Sequence, residues 1–133
     1  MSIDIVPYSK ASNHVEIPHL YAQAFGETPW PLHWDEFDGF DPQSVFMAKD
    51  CSTGKTVGFV IGFRRDDFGY ISVVAVIPAF RRRNIATALI KEAIEYLGSL
   101  QLTEIMIDVE VENYAAVEVY RKLGFEILRT FTE

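Results

Sequence analysis

Three consecutive arginines, Arg81, Arg82 and Arg83, stand where a run of β-branched residues gives way to a helical pattern. The chain around them carries a formal net charge of −7, so its densest basic cluster runs against its overall balance. The run before them, Tyr70 to Ile77, reads as a strand buried on both faces, and Pro78 stops it. After them Ala86, Leu89, Ile90, Ala93 and Leu97 recur at three- and four-residue steps, which predicts a helix over Asn84 to Leu97 with Gly98 as its C-cap. A helix start carries unpaired N–H groups and a partial positive charge, and arginines add full charge and forked donors. Strand, cationic turn and helix together suit a phosphorylated ligand. The competing reading is an arginine cluster that is simply solvated.

The segment Val76-Ile77-Pro78-Ala79-Phe80-Arg81-Arg82-Arg83-Asn84-Ile85-Ala86 resembles the acyl-coenzyme A-binding motif of the GNAT superfamily of N-acetyltransferases, Arg/Gln-x-x-Gly-x-Gly/Ala after a Val-x-Pro strand end. Arg81 and Ala86 fit their places. Asn84 replaces the usual glycine, and asparagine tolerates left-handed backbone better than most residues. The resemblance implies cofactor contacts from Arg81, Arg82, Arg83, Asn84, Ile85 and Ala86. It also implies oxyanion and pantetheine contacts from backbone N–H groups of Val74, Ala75 and Val76 on a bulged central strand.

A second signature lies downstream, where Asn113 precedes Tyr120 by seven residues and Leu123-Gly124-Phe125 follows. Seven residues is close to two helical turns, so the two side chains share a face. By resemblance, Asn113 contacts the cofactor's arm and Tyr120 is the general acid that protonates the departing thiolate. Read alone, Asn113 could be an N-cap and Tyr120 a core aromatic. The general base is left open among Asp108 and Glu110 on the next strand, Asp67 before the central one, Glu27, and a water chain. Asp108 and Glu110 have the same parity on a strand.

The acceptor side is expected in Glu27 to Phe40, which holds both tryptophans and several carboxylates, with a short helix near Leu32 to Phe37. Glu27, Trp30, Trp34 and Tyr70 are the expected substrate contacts, since aromatics and carboxylates together can hold an ammonium group. The alternative is that Trp30 and Trp34 belong to the core.

The elements that must position these residues follow in order. Ile3 to Pro7 is a strand. Ser12 or Asn13 can cap a helix whose apolar stripe is Leu20, Tyr21, Ala24 and Phe25, with Pro18 tolerated only in the first turn. Ser44 to Lys49, Thr56 to Phe63 and Tyr70 to Ile77 form an antiparallel meander. Glu104 to Val111 should lie parallel to the central strand, since a helix connects them. A helix from Asn113 and a strand over Phe125 to Phe131 complete the pattern. The expected fold is α/β, a GNAT-like mixed sheet in the order β-α-α-β-β-β-α-β-α-β, with the central strand splayed from its parallel neighbour.

With 133 residues and nearly half of them apolar, a single domain over 1–133 is expected. The acidic balance speaks against nucleic acid as partner, and no apolar run is long enough to span a bilayer. No signal peptide is evident, and one cysteine, Cys51, cannot form an internal disulfide; both suit the cytoplasm. The three histidines lack metal-ligand spacing, so no metal is expected. By the resemblance, many family members have one more strand after the one over Phe125 to Phe131; here it is expected to be missing or supplied by a partner, so a homodimer through that edge is an expectation. The implied co-substrate is acetyl-CoA and the implied acceptor a small-molecule amine or a peptide amino group. A catalytically weak or inactive acyl-CoA sensor is the rival reading. A nucleotide-binding domain is disfavoured because no Gly-x-x-x-x-Gly-Lys loop is present.

Overall fold

In the computed structural model the sheet is built around the strand that precedes the arginines. The structure describes residues 2–26, 30, 34–36, 38–65, 67–100, 102, 104–107, 118, 121 and 122. Five strands, β1 (Ile3–Pro7), β2 (Phe46–Asp50), β3 (Thr56–Arg65), β4 (Phe68–Val76) and β5 (Glu104–Ile107), pair in sequence order. The first four are antiparallel and β5 joins β4 in parallel. That mixed arrangement is the one expected from a helical crossover between β4 and β5. The expected strand as far as Val111 is described to Ile107. The following helix is described only at Glu118, Arg121 and Lys122, which are helical and exposed, and the last strand lies outside the described residues.

Helix α3 (Ile85–Gly98) covers one face of the sheet. Its Ile85, Leu89, Ile90, Ala93 and Leu97 pack on Ala48, Val57, Val60, Ile71 and Val76. The other face holds α1 (Lys10–Asn13), α2 (Glu16–Phe25) and an aromatic layer, where Ile17, Leu20 and Trp34 meet Val45, Met47, Phe59, Ile61 and Ala75. Pro18 is the third residue of α2, in the first turn where its missing N–H costs nothing. Gly58 marks the closest approach in the α3 layer, since a Cβ there would lie 2.7 Å from the Ala75 carbonyl oxygen.

Several boundaries differ from the sequence expectation for local reasons. β2 starts at Phe46 and not at Ser44, because Ser44 closes a 3-10 turn, Pro42–Ser44. There its one hydroxyl proton is shared between the carbonyls of Asp41 (2.6 Å) and Gly62 (2.7 Å). β3 continues to Arg65 and β4 begins at Phe68, because the hairpin keeps pairing up to Arg65 opposite Phe68. Gly98 is still helical and Ser99 is the C-cap. β4 is not buried throughout: Ile71, Ala75 and Val76 are, whereas Tyr70, Ser72, Val73 and Val74 are half-buried. Opposite Ile61 and Gly62, β4 pairs through Val73 and Ile71, so Ser72 is an extra residue and the strand is bulged there. Tyr70 and Ser72 line an open cleft on the aromatic face.

Candidate active site

The turn that carries the arginines is shaped by its backbone. Pro78–Phe80 forms a 3-10 turn, Arg81 is extended, and Arg82 and Asn84 both have left-handed backbone, with φ of 65° and 62°. Asn84 is the N-cap of α3, yet its side chain caps nothing. The first bond into the helix is from Ala88 N–H to the Asn84 carbonyl, 3.1 Å. The N–H groups of Ile85, Ala86 and Thr87 therefore have no partner within the helix. Uncapped N–H groups behind a left-handed residue make an anion-binding concavity at the positive end of the helix. The left-handed Asn84 explains why a glycine suits that position and why asparagine can replace it.

The three arginines divide their work. Arg81 turns its guanidinium onto the protein's own carbonyls: Nε donates to Val76 at 3.1 Å and Nη2 to Ala24 at 2.7 Å. The second bond places a cation at the C-terminal end of α2, where helix carbonyls are left over. Arg81 thus ties the end of β4 to the helix that leads into the aromatic layer. Arg83 lies over the Phe80 ring, 5.1 Å from its centroid. Arg82 and Arg83 are exposed on the turn.

The in-plane direction of β4 sorts the expected backbone contacts. Ile77 N–H bonds to the Val57 carbonyl at 3.0 Å, and Phe59 is opposite Ala75. Antiparallel pairing alternates, so Ala75 directs its N–H to β3 and is committed to the sheet. Val74 and Val76 direct theirs the other way, toward the side of β5. Of the three expected donors, only these two face the side where a ligand could lie between the parallel strands. The described pairing of β4 with β5 runs from Phe68 opposite Glu104 to Ile71 opposite Ile107, before the bulge is passed.

Beside the bulge is a cleft of about 450 Å³ lined by Asp38, Phe63, Arg65, Phe68, Tyr70 and Ser72. Of the expected acceptor contacts, Tyr70 is among these. Trp34 is not, for it is only 5% exposed. It is wedged against Tyr8, Trp30 and Phe40 edge-on and stacked on His14. Trp34 is a core residue that supports the wall from beneath, because its large apolar area is worth more buried. The short helix expected near Leu32 to Phe37 is described as a 3-10 turn, Trp34–Glu36. Trp30 packs on Tyr21 and Phe59, and its indole Nε1 is buried with no hydrogen-bond partner among the described residues. Asp67 is exposed in the β3–β4 turn. Glu27, Asp108, Glu110, Asn113 and Tyr120 lie outside the described residues.

Sequence reasoning missed Phe63, Phe68, Ser72, Asp38 and Arg65. Phe68 shares parity with Tyr70 and could have been found by extending the strand. Phe63 could have been found from its place opposite Tyr70 across the hairpin.

On the other side of Arg81 a groove of about 640 Å³ runs between α2 and the β2–β3 turn, with His19, Gln23, Asp50, Lys55, Ile77 and Phe80 on its walls. Asp50 is held below the usual carboxylate range, first by the Thr53 hydroxyl (2.9 Å) and also by Ser52 and the Arg83 charge. At the far end of α3, burial and a hydrogen bond to Asp41 push the Tyr96 phenol up to about 12.

Residues 13–125 match the model of the acetyltransferase (GNAT) family. The chain belongs to this family. It is 31% identical to the mycothiol acetyltransferase of Mycolicibacterium gilvum, over 92% of this chain and 45% of that protein. It is 36% identical to the N-alpha-acetyltransferase MAK3 of Arabidopsis thaliana, over 63% of this chain and 45% of that protein. The chain thus spans less than half the length of these relatives. Among solved structures it resembles the NatC complex bound to Gag peptide and CoA, with a TM-score of 0.80 and 26% identity over 95% of this chain and 86% of that one. The ribosomal-protein-S18-alanine N-acetyltransferase of Escherichia coli shares the fold, with a TM-score of 0.78 at 21% identity, over 94% of this chain and 78% of that one. The GNAT fold expected from the two motifs is therefore the fold of this chain.

Proposed function

We propose that this chain transfers the acetyl group of acetyl-CoA to a primary amine, directly and without an acyl-enzyme. The observation that carries the reading is the uncapped start of α3 behind the left-handed Asn84, next to the bulged β4. The diphosphate of the co-substrate fits the N–H groups of Ile85 to Thr87, with Arg82 and Arg83 supplying charge at the rim. Val74 and Val76 offer N–H groups toward β5 for the pantetheine arm and the developing oxyanion. Tyr70 and the cleft beside Ser72 receive the amine, and Asn113 holds the cofactor's arm.

The neutral amine nitrogen attacks the thioester carbonyl carbon, a tetrahedral oxyanion forms, and the C–S bond breaks. The nitrogen loses one proton to water or to a carboxylate, for which Asp108 and Glu110 are our candidates. The thiolate gains one from Tyr120 as general acid. The rival reading, an inactive acyl-CoA sensor, draws on Asn84 in place of glycine and on the lack of an obvious general base; the left-handed backbone of Asn84, the conformation a glycine would supply, supports the enzyme reading.

The test is thiol release from acetyl-CoA with a panel of amines, comparing the wild type with Tyr120→Phe. Loss of a general acid should lower kcat by roughly 10²–10⁴-fold, with acetyl-CoA affinity little changed. Equal turnover by Tyr120→Phe would remove the phenol from the mechanism, and CoA binding with no turnover on any amine would favour the sensor.

A further inference from the structure

The cleft beside the bulge is lined by aromatic rings and one ion pair. Its walls are three aromatic rings from the β3–β4 hairpin: Phe63 stands opposite Tyr70, and Phe68 opposite Arg65. The Phe63 and Tyr70 rings are 6.4 Å apart at a tilt of 31°, and Phe40 backs Phe63 edge-on at 5.9 Å. Together with Phe68 they make much of the described lining apolar. Charge is confined to the mouth, where the described lining holds one carboxylate and one guanidinium, Asp38 and Arg65. These two already face each other, with Arg65 Nε 3.8 Å from Asp38 Oδ2. Arg65 Nε and Nη2 also donate to the Asp38 main-chain carbonyl, at 3.3 and 3.2 Å.

A polyamine or an aminosugar would bring several ammonium groups that must lose water, and the described lining offers them one carboxylate, Asp38, which already faces Arg65. An apolar body would instead bury its area on the rings. Arg65 can do more than hold Asp38. A guanidinium has five N–H donors in a rigid fork, and the bonds to Asp38 engage two. From Phe68, opposite Arg65, to Ser72 at the bulge is roughly 13 Å along the strand. With the amine at the bulge, an oxygen within reach of the Arg65 side chain belongs two or three residues further along an extended peptide. The carboxylate of a free amino acid is too close to its own amine to reach it.

We propose that the acceptor is the amino terminus of a peptide with apolar leading side chains, seated on Phe63, Phe68 and Tyr70, with a main-chain carbonyl on Arg65. This rests on the acetyltransferase reading and narrows its substrate. Phe68 and Arg65 are then specificity-determining residues.

The experiment is steady-state acetylation of amidated tetrapeptides that begin Leu-Phe, Gly-Gly or Glu-Glu, and of spermidine and kanamycin, by the wild type, Phe68→Ala, Phe68→Leu and Arg65→Gln. The Leu-Phe peptide should have a kcat/KM at least tenfold above every other acceptor. Phe68→Ala should raise its KM about tenfold, the equivalent of burying roughly half an apolar side chain, with the KM for acetyl-CoA unchanged. Phe68→Leu should recover most of the loss, which a general folding defect would not. Arg65→Gln should raise the KM for the peptide and leave that for spermidine unmoved. A preference for spermidine, kanamycin or the acidic peptide would overturn the proposal while leaving the acetyltransferase reading standing. Transfer to none of the acceptors by a protein that binds acetyl-CoA would overturn both.

Discussion

Replacing Arg81 by alanine separates two uses of the motif's first arginine. If the guanidinium works as a tie, the variant loses two charge-assisted bonds, to Val76 at 3.1 Å and to Ala24 at 2.7 Å. Hydrogen bonds from charged groups contribute about 1.5–3 kcal/mol each. The Ala24 bond is at the exposed surface, and both carbonyls can recruit water afterwards, so the exposed bond falls below the lower end and the pair sums to about 2–3 kcal/mol. For a domain between the small and large size classes that is a fall in Tm of roughly 6–12 °C. Thermal unfolding by circular dichroism reads it directly. Arg81→Lys should recover less than half, because an ammonium cannot fork to two carbonyls held on different elements. Calorimetry with CoA completes the test. The tie predicts weaker binding only in step with lost stability, and recovery of affinity when the temperature is lowered well below Tm. A variant that melts with the wild type yet binds CoA many-fold more weakly would refute the reasoning and put the guanidinium on the diphosphate.

Three further outcomes follow from local geometry. Asn84→Ala should destabilise by about 1 kcal/mol, the cost of left-handed backbone for a residue with an ordinary Cβ, whereas Asn84→Gly should match the wild type in urea unfolding and bind CoA no less tightly. Gly58→Ala puts a Cβ 2.7 Å from the Ala75 carbonyl oxygen, and the overpacking should lower stability by about 1–3 kcal/mol, seen as a lower urea midpoint at unchanged slope. The Tyr96 phenol is held to about 12 in the folded chain against 10.0 for the free group, first by burial and then by its bond to Asp41, so the folded state's preference for the neutral phenol contributes fully below pH 10 and is lost as pH rises toward 12; Tyr96→Phe should flatten that part of a stability–pH curve.

What could be read from the sequence was what short-range pattern controls. The apolar run, Pro78, the basic turn and the 3.6-residue stripe specify β4 and α3 within a few residues, because strand and helix periods differ so strongly. The parallel pairing of β5 follows from the intervening helix alone. The left-handed angle at Asn84 was legible as a glycine position filled by the next most tolerant residue. A bulge in this strand was implied by the resemblance, but its place at Ser72 could not be read, since nothing in Ile71-Ser72-Val73-Val74 breaks a strand and the bulge arises from the partner's register. Without its place the cleft could not be foreseen, because the extra residue decides which side chains meet on the aromatic face. The Arg81 tie was equally hidden, as its partner Ala24 is 57 residues away. Trp34 illustrates the limit of composition: an aromatic in a loop beside carboxylates reads the same whether it faces a ligand or fills the core.

The account depends on the diphosphate of CoA sitting on the first turn of α3. Titrating CoA into the ¹⁵N-labelled protein and following its amide resonances tests this most directly. The largest shifts should fall on Arg82 to Thr87 and on Val74 and Val76, with Ala75 shifting less because its N–H is spent on β3. Shifts that leave the Ile85, Ala86 and Thr87 amides in place and gather instead around Asp50, Lys55 and His19 in the neighbouring groove would contradict it.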